Sequence, residues 1–355
     1  MALLFRGSGR KKTSTVIFFA ALLYLFYCFL LVSKQPSPSE DDTTGNRDAA
    51  TESVRSLQIC TTRLDEFDGP LHARINDLFN ATNIVSDTVL NENPDLKPGG
   101  SWRPTNCIAQ SKLALIIPFR DRDYHLYKLL SILFQVLKRQ QLDFRIILAE
   151  QHGTGPFNKG RIMNAAFEYA QKLDVDCVVF HDVDVLPEDD RIPYGCPKLP
   201  RHLGGRVSTL DYKVWFDYMT GGAFAISMDH YIKANGYSNE FWGWGGEDDD
   251  FGRRLKASGL KIIRPDAVIG KYTMLTHVKR TWMSHGQTDR LLWQGAKRFR
   301  TDGLCCNKNW TIVSDEAKPL FRHIYIDVGE MNSQWKEVFK MAAERGATTT
   351  VLVEK

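Results

Sequence analysis

The sequence lacks an excess of charge of either sign. Its 355 residues hold 46 Lys and Arg against 42 Asp and Glu, a formal net charge of +4. Such balance argues against a nucleic-acid partner, which calls for a basic footprint. There is no internal repeat and no heptad pattern, which excludes a solenoid and a coiled coil. No second cluster rich in His and Asp is present, and this argues against a two-metal phosphohydrolase. Long apolar runs are scarce too, with one clear example near the N-terminus.

That run covers residues 16–33, VIFFAALLYLFYCFLLVS, and carries no charge. At ~1.5 Å per residue it just crosses a hydrocarbon core of ~27–30 Å. A cleavable signal peptide would have a shorter apolar core and an Ala-x-Ala-like site, which is missing here. The expectation is therefore a retained signal-anchor. Arg6, Arg10, Lys11 and Lys12 precede it and place residues 1–15 in the cytoplasm and the rest in the lumen. A span this short suits the early secretory pathway. Residues 34–58 are rich in Ser, Pro, Thr, Asp and Glu without apolar periodicity, as in a flexible stem. Residues 59–355 read as one luminal globular domain. In a lumen, Cys60, Cys107, Cys177, Cys196, Cys305 and Cys306 face oxidising conditions, whereas Cys28 lies inside the span. Asn80 and Asn309 head Asn-x-Thr glycosylation sequons.

The domain opens with a strand pattern over residues 113–118, then a helical pattern over 125–141. A strand over 144–149, a helix over 164–172 and a strand over 177–180 follow. Strand–helix–strand–helix–strand predicts an α/β fold with a parallel, doubly wound sheet. At the end of the last strand stands His181-Asp182-Val183-Asp184. Carboxylates at the C-terminal end of a parallel strand lie where such sheets bind ligands. Their hard oxygens suit Mg²⁺ or Mn²⁺ carrying a nucleotide diphosphate.

Three further blocks carry chemistry. Residues 241–250 read FWGWGGEDDD. Its glycines free the backbone, and a Trp on such a loop can cover a ligand. The four acids open a helix that Gly259 closes. A helix N-terminus favours acids in its own right, a reading that suits Asp249 and Asp250. For Glu247 and Asp248, directly after the glycine loop, contact with a substrate sugar or base catalysis is the favoured reading. Pro118-Phe119-Arg120-Asp121-Arg122 follows the first strand, and its arginines either clamp a phosphate or pair with Asp121 or Asp123. Met274 and His277 taken singly read as a core residue and a structural hydrogen-bonder. They become a candidate metal pair only with Asp184 as a third ligand, and a thioether is a soft partner for Mn²⁺.

These blocks, with Phe157-Asn158-Lys159-Gly160-Arg161 between them, stand in an order that strongly resembles the animal β-1,4-galactosyltransferase family. The resemblance runs from about residue 60 to residue 328, and Gly-Trp-Gly-Gly-Glu-Asp-Asp-Asp is close to diagnostic. It implies a GT-A type nucleotide-sugar-binding fold, type II Golgi topology and Mn²⁺-dependent inverting transfer from a UDP-sugar to a glycan on a glycoprotein or glycolipid. Asp184, Met274 and His277 match the family's Mn²⁺ ligands. Pro118, Phe119, Arg120, Arg122, Phe157, Lys159 and Asp182 match donor-binding positions, and Trp244 matches the tryptophan of a closing loop. Asp248 matches the catalytic base and Glu247 a sugar-binding carboxylate. Cys60–Cys107 and Cys177–Cys196 match the family's disulfides, while Cys305 and Cys306 have no counterpart.

Four departures bear on specificity. Lys159 replaces the usual Arg. Met219, in Tyr218-Met219-Thr220-Gly221-Gly222, replaces a residue that helps select the donor sugar, where Tyr favours galactose and a smaller aliphatic admits N-acetylgalactosamine. Gln287 and Thr288 replace an Arg-Phe pair around the acceptor's N-acetyl group. Residues 203–215 match poorly. The leading expectation is a β-1,4-galactosyltransferase, with an N-acetylgalactosaminyltransferase as the alternative. A catalytically silent carbohydrate-binding member is the rival from another class, and intact Asp184, His277 and Asp248 argue against it.

Overall fold

The computed structural model describes residues 57–81, 84–276, 285–306 and 308–344. The expected tail, the span at 16–33 and nearly all of the stem lie outside the described residues, as do Thr82 and His277. Among the described residues, no helix is long and apolar enough to cross a membrane.

The strands in chain order are β1 (Ser101–Trp102), β2 (Lys112–Phe119), β3 (Asp143–Gln151), β4 (Cys177–His181), β5 (Val185–Pro187), β6 (Arg201–His202), β7 (Arg206–Val207), β8 (Ala223–Ser227), β9 (Lys271–Met274), β10 (Thr311–Ala317) and β11 (Arg322–Asp327). The helices are α1 (His72–Asn80), α2 (Ser86–Glu92), α3 (Asp123–Arg139), α4 (Lys159–Ala170), α5 (Met228–Lys233), α6 (Glu247–Ala257), α7 (His285–Arg298) and α8 (Ser333–Glu344).

β2 forms the spine because Leu113 to Ile117 are fully buried. Successive side chains on a strand point to opposite faces, so β2 feeds two cores. Leu113, Leu115 and Ile117 meet Leu126, Leu129, Leu130 and Leu133 of α3. Ala114 and Ile116 meet Ile162, Met163, Ala166 and Phe167 of α4. Each fully buried large aliphatic contributes about 1.5–3 kcal/mol, so this two-sided burial fixes the register of the centre of the sheet. Pro118 is tolerated because pairing with β4 stops at Ile116. Its missing N–H falls where β2 has a neighbour on one side only.

The sheet order is β10-β11-β3-β2-β4-β8-β6, with β1 pairing to β3. The parallel expectation holds for β11, β3, β2 and β4. The flanks differ, because β8 is antiparallel to β4, β6 to β8, and β10 to β11. A parallel pair needs a crossover, usually a helix. No α-helix lies between β4 and β8, where the chain instead lays down β5 and β7, the outer strands of a small sheet of order β5-β9-β7 that β9 completes later, and returns.

Helix α4 begins at Lys159, five residues before the predicted start at residue 164. The Asn158 side chain caps it by accepting from the Arg161 N–H at 2.9 Å. Lys159 therefore sits in a rigid first turn.

Cys60–Cys107 and Cys177–Cys196 are disulfides. The second ties the start of β4 to the loop before β6. Cys305 and Cys306, unassigned from the sequence, bond to each other.

Candidate functional site

The C-terminal ends of β2 and β4, the N-terminus of α4 and the N-terminus of α6 converge. Lys159 Nζ lies 2.7 Å from Asp182 Oδ1 and 3.5 Å from Glu247 Oε1. Burial disfavours the lysine's charge, but Asp182, Glu247 and Asp248 outweigh it and raise its pKa. Burial also pushes the Glu247 carboxyl up to about 7, helped by the neighbouring Asp248 charge and opposed by Lys159. Asp182 is raised by burial against the pull of Lys159.

The backbone at Asp182 is held from two sides. Its N–H donates to the Gly222 carbonyl at 2.7 Å. Its carbonyl accepts from His181 Nδ1 at 2.9 Å. Burial pushes the His181 pKa down to about 4, so the ring is neutral and Nε2 accepts from Tyr194 at 3.0 Å. Tyr272 of β9 donates to Tyr194 in turn, also at 3.0 Å. This chain ties β4 to the small sheet.

Asp184 and Met274 meet at the end of that small sheet. Val185 pairs with Met274, and the Leu275 N–H donates to the Asp184 carbonyl at 2.7 Å. Arg122 Nη1 is 2.8 Å from Asp184 Oδ2. The Met274 sulfur accepts from Thr209 Oγ1 at 3.2 Å. The Asp184 carboxylate is thus nearly buried with an arginine as counter-charge, on backbone bonded next to that of Met274. His277 follows two residues after Leu275 but lies outside the described residues. A carboxylate, a thioether and an imidazole at these three sequence positions would suit a borderline divalent ion.

On the other side of β2, Arg120 Nη1 donates to the Gly155 carbonyl at 2.7 Å, and its guanidinium lies 5.3 Å from the Phe157 ring centre. Arg120 is thus built into the rim with Phe157, while Phe119 is buried beneath. The Gly243 N–H donates to the Phe157 carbonyl at 2.7 Å. This bond fixes one end of the glycine loop that carries Trp244. Gly243, Gly245 and Gly246 have φ of 85°, 97° and 94°, a region that favours glycine. Trp244 is 46% exposed at the crest of the loop.

Asp248 sits one residue into α6. Its carbonyl accepts from Thr220 Oγ1 at 2.6 Å, and its Oδ1 accepts from the Asp249 N–H at 3.0 Å. Burial and the Asp248 charge raise Asp249 to about 7. Asp250 is a buried structural partner: Arg254 Nε lies 2.5 Å from its Oδ2, and Arg298 Nη2 of α7 is 2.9 Å from its Oδ1. Met219, half-buried, offers its carbonyl to Arg264 Nη2 at 3.1 Å. The hydroxyl of Thr220 and the bare backbone of Gly221 also shape this corner. Neither carries a sequence signature of its own beyond the Gly-Gly pair that follows Thr220.

The structure thus gathers Arg120, Phe157, Lys159, Asp182, Trp244, Glu247 and Asp248 along one sheet edge, with Arg122, Asp184 and Met274 beside them. Asn80 and Asn309 lie elsewhere, Asn80 ending α1 and Asn309 preceding β10.

Residues 60–197 match the family described as the N-terminal region of glycosyl transferase group 7, and residues 201–278 that described as the N-terminal domain of galactosyltransferase. The chain is 38% identical over 249 residues to Beta-1,4-galactosyltransferase 5 of Sus scrofa, covering 69% of this chain and 63% of that protein. It is 33% identical over 314 residues to Beta-1,4-galactosyltransferase 1 of Mus musculus, covering 84% of this chain and 77% of that protein. A solved structure of the catalytic domain of Drosophila beta1,4galactosyltransferase 7 with xylobiose superposes with a TM-score of 0.54 at 26% identity, over 64% of this chain and 97% of that one. A mutant of the same enzyme, solved with manganese, UDP-Gal and xylobiose, gives 0.53 at 25% identity, with the same coverage.

Proposed function

Because this chain belongs to the β-1,4-galactosyltransferase family and has its GT-A fold, we propose that it transfers galactose from UDP-galactose to a terminal sugar of a glycoprotein or glycolipid glycan, with inversion and with Mn²⁺ as cofactor. The observation that carries this reading is the meeting of Lys159, Asp182 and Glu247 within 3.5 Å at the end of β4, next to Asp248 and the Trp244 loop.

Phe119 and Phe157 would flank the uridine, with Pro118 shaping the strand end beneath it. Arg120 and Arg122 carry the charge to meet its phosphates. Lys159 orients Asp182 and Glu247 while neutralising part of their charge. Asp184, Met274 and His277 would hold Mn²⁺, which when bound supplies positive charge opposite the diphosphate. Trp244 would close over the donor and exclude water. Asp248 takes the proton from the acceptor hydroxyl as that oxygen bonds to the anomeric carbon. The bond from that carbon to UDP breaks on the opposite face, so an α-linked donor gives a β-linkage. Glu247 would hydrogen-bond hydroxyls of the bound sugar.

Residues 1–15, 16–33 and 34–58 would form the tail, signal-anchor and stem of a single-pass Golgi enzyme with a luminal catalytic domain, its sequons at Asn80 and Asn309 open to glycosylation. The uncharged run behind a basic tail supports that placement. Met219 supports a second donor, UDP-GalNAc, because a flexible thioether can make room for an N-acetyl group.

The test measures UDP release by the luminal domain with Mn²⁺, offering UDP-Gal, UDP-GalNAc and UDP-GlcNAc with and without sugar acceptors. Acceptor-dependent release from UDP-Gal is expected. Binding of donor and acceptor with no release under any pairing would instead identify a silent carbohydrate-binding protein.

A further inference from the structure

The segment from Asp217 to Gly222 carries Met219 and lies against the proposed base, yet it has no regular structure of its own. Its backbone is held from outside. Arg264 Nη2 donates to the Asp217 carbonyl at 2.8 Å and to the Met219 carbonyl at 3.1 Å. His202 Nε2 donates to the Gly221 carbonyl at 2.7 Å. The two holders also meet each other, since Arg264 Nε donates to His202 Nδ1 at 3.3 Å.

His202 is fully buried on edge strand β6, opposite Phe224 of β8. Its N–H donates to the Ile263 carbonyl, and the Ile263 N–H donates to the Pro200 carbonyl, both at 2.9 Å. This pairing sets Arg264 beside the imidazole. Gly205 leaves room for the ring, because a β-carbon added there would sit 2.7 Å from His202 Cε1. Burial pushes the His202 pKa down to about 3, with the Arg264 and Arg206 charges adding to it. The ring is therefore neutral, and a single tautomer makes both bonds: Nε2 carries the hydrogen and Nδ1 accepts.

The held segment touches helix α6 at three points. The Thr220 hydroxyl donates to the Asp248 carbonyl at 2.6 Å. A β-carbon on Gly221 would meet the Asp248 carboxylate, and one on Gly252 would overlap the Tyr218 carbonyl. Any shift of this backbone is thus felt at Met219 and at Asp248 together.

We propose that His202 and Arg264 are positioning residues that tie donor selection to the alignment of the base. Neither touches a reacting atom in the galactosyl-transfer reading above, on which the inference rests. Arg264 fixes the backbone under Met219, and His202 fixes it under Gly221. Each acts through the loop, and Arg264 also acts through the imidazole it orients.

The experiment uses the luminal domain with Mn²⁺ and one acceptor, and measures kcat and KM for UDP-Gal and UDP-GalNAc, with Tm beside them. His202→Asn puts an amide oxygen near the Nδ1 position, so Arg264 keeps its acceptor while Gly221 loses its donor. His202→Gln puts an amide N–H near the Nε2 position and restores the bond to Gly221. Since a ~1 Å misplacement costs about 10²-fold, the Asn variant should lose at least about tenfold in kcat, with its UDP-Gal KM within about twofold of wild type. The Gln variant should recover most of that loss. Arg264→Met frees the Asp217 and Met219 carbonyls, and the loosened loop should admit the bulkier donor. The Gal-to-GalNAc ratio of kcat/KM should fall at least about threefold, within the reach of one pocket contact. Equal kcat in the Asn and Gln variants, or an unchanged or raised donor ratio in Arg264→Met, overturns the proposal. Arg264 is only half-buried, so its variant decides alone if His202→Asn does not fold. If the wild type transfers neither sugar, the galactosyl-transfer reading fails by itself. Calorimetric titration with UDP-Gal and UDP-GalNAc then decides the pair: an affinity ratio moved towards UDP-GalNAc in Arg264→Met upholds it, and any other result overturns it.

Discussion

Gly221 lies directly against the carboxylate of Asp248: a β-carbon added there would sit 2.3 Å from Asp248 Oδ2. The clash is with the far end of a side chain, so the backbone can stay and the carboxylate must move. Gly221→Ala should therefore cost little stability but displace the proposed base. A displacement near 1 Å at a reacting group costs about 10²-fold in rate. Asp248→Asn sets the scale, since loss of a general base costs ~10²–10⁴-fold. The expected result for Gly221→Ala is a kcat loss approaching that of Asp248→Asn, with the UDP-Gal KM and Tm close to wild type. A wild-type kcat would show that Asp248 Oδ2 has no role in the chemistry.

Glu247 gives a pH signature. Its carboxyl is raised from 4.5 to about 7 in the fold by burial and the Asp248 charge. A raised carboxyl binds more protons folded than unfolded between those values, so stability falls as pH rises through that window. Above about pH 7 the penalty is complete. Glu247→Gln removes this titration. Relative to wild type, the variant should gain Tm at pH 8 and gain little or nothing at pH 5. Thermal melts at the two pH values check this, and a parallel shift at both would show that Glu247 ionises as it does in water.

The centre of the sheet was legible because β-branched and leucine-rich runs over β2, β3 and β4 signal two-sided burial. The flanks were less so. Nothing local in Ala223–Ser227 states that it pairs antiparallel to β4, because direction is set by what the chain does between residues 188 and 222. The early start of α4 at Lys159 was hidden in a Gly-containing stretch, where Asn158 acts as a cap rather than a loop residue. The site blocks were visible as carboxylates, glycines and arginines, whereas their supports were not. The Tyr272–Tyr194–His181 relay joins two strands through a loop residue, and no spacing rule connects them. Gly221 was visible as a glycine, but only the fold shows that it faces Asp248.

The Arg122–Asp184 pair, 2.8 Å apart and largely buried, bears on metal binding. Asp184→Asn keeps the shape and removes the charge that an ion would need. Mn²⁺ affinity, read from the paramagnetic resonance of free ion, should weaken at least about tenfold, the worth of one strong electrostatic contact. Transfer should fall with it. The variant also leaves Arg122 without that charge, so a lower Tm is expected, and far-ultraviolet circular dichroism serves as the fold control. Unchanged Mn²⁺ affinity together with near-normal transfer would remove Asp184 from the metal site.

Donor choice is predicted to turn on Met219. Its backbone is fixed, since Arg264 holds the Met219 carbonyl at 3.1 Å and the Asp217 carbonyl at 2.8 Å, so a substitution there changes the side chain without moving the loop. Methionine has three rotatable bonds and no hydroxyl, and it can swing away from a bulky substituent. Tyrosine would offer a rigid ring and a hydroxyl at the same place. One pocket contact is worth about 1–3 kcal/mol, or roughly 10–200-fold in discrimination. The wild type should therefore use UDP-Gal with appreciable transfer from UDP-GalNAc, and Met219→Tyr should raise the Gal-to-GalNAc ratio of kcat/KM by at least about tenfold. Measuring both donors against one acceptor gives the ratio. Exclusive use of UDP-Gal by the wild type, with no change in Met219→Tyr, would place donor selection at another residue.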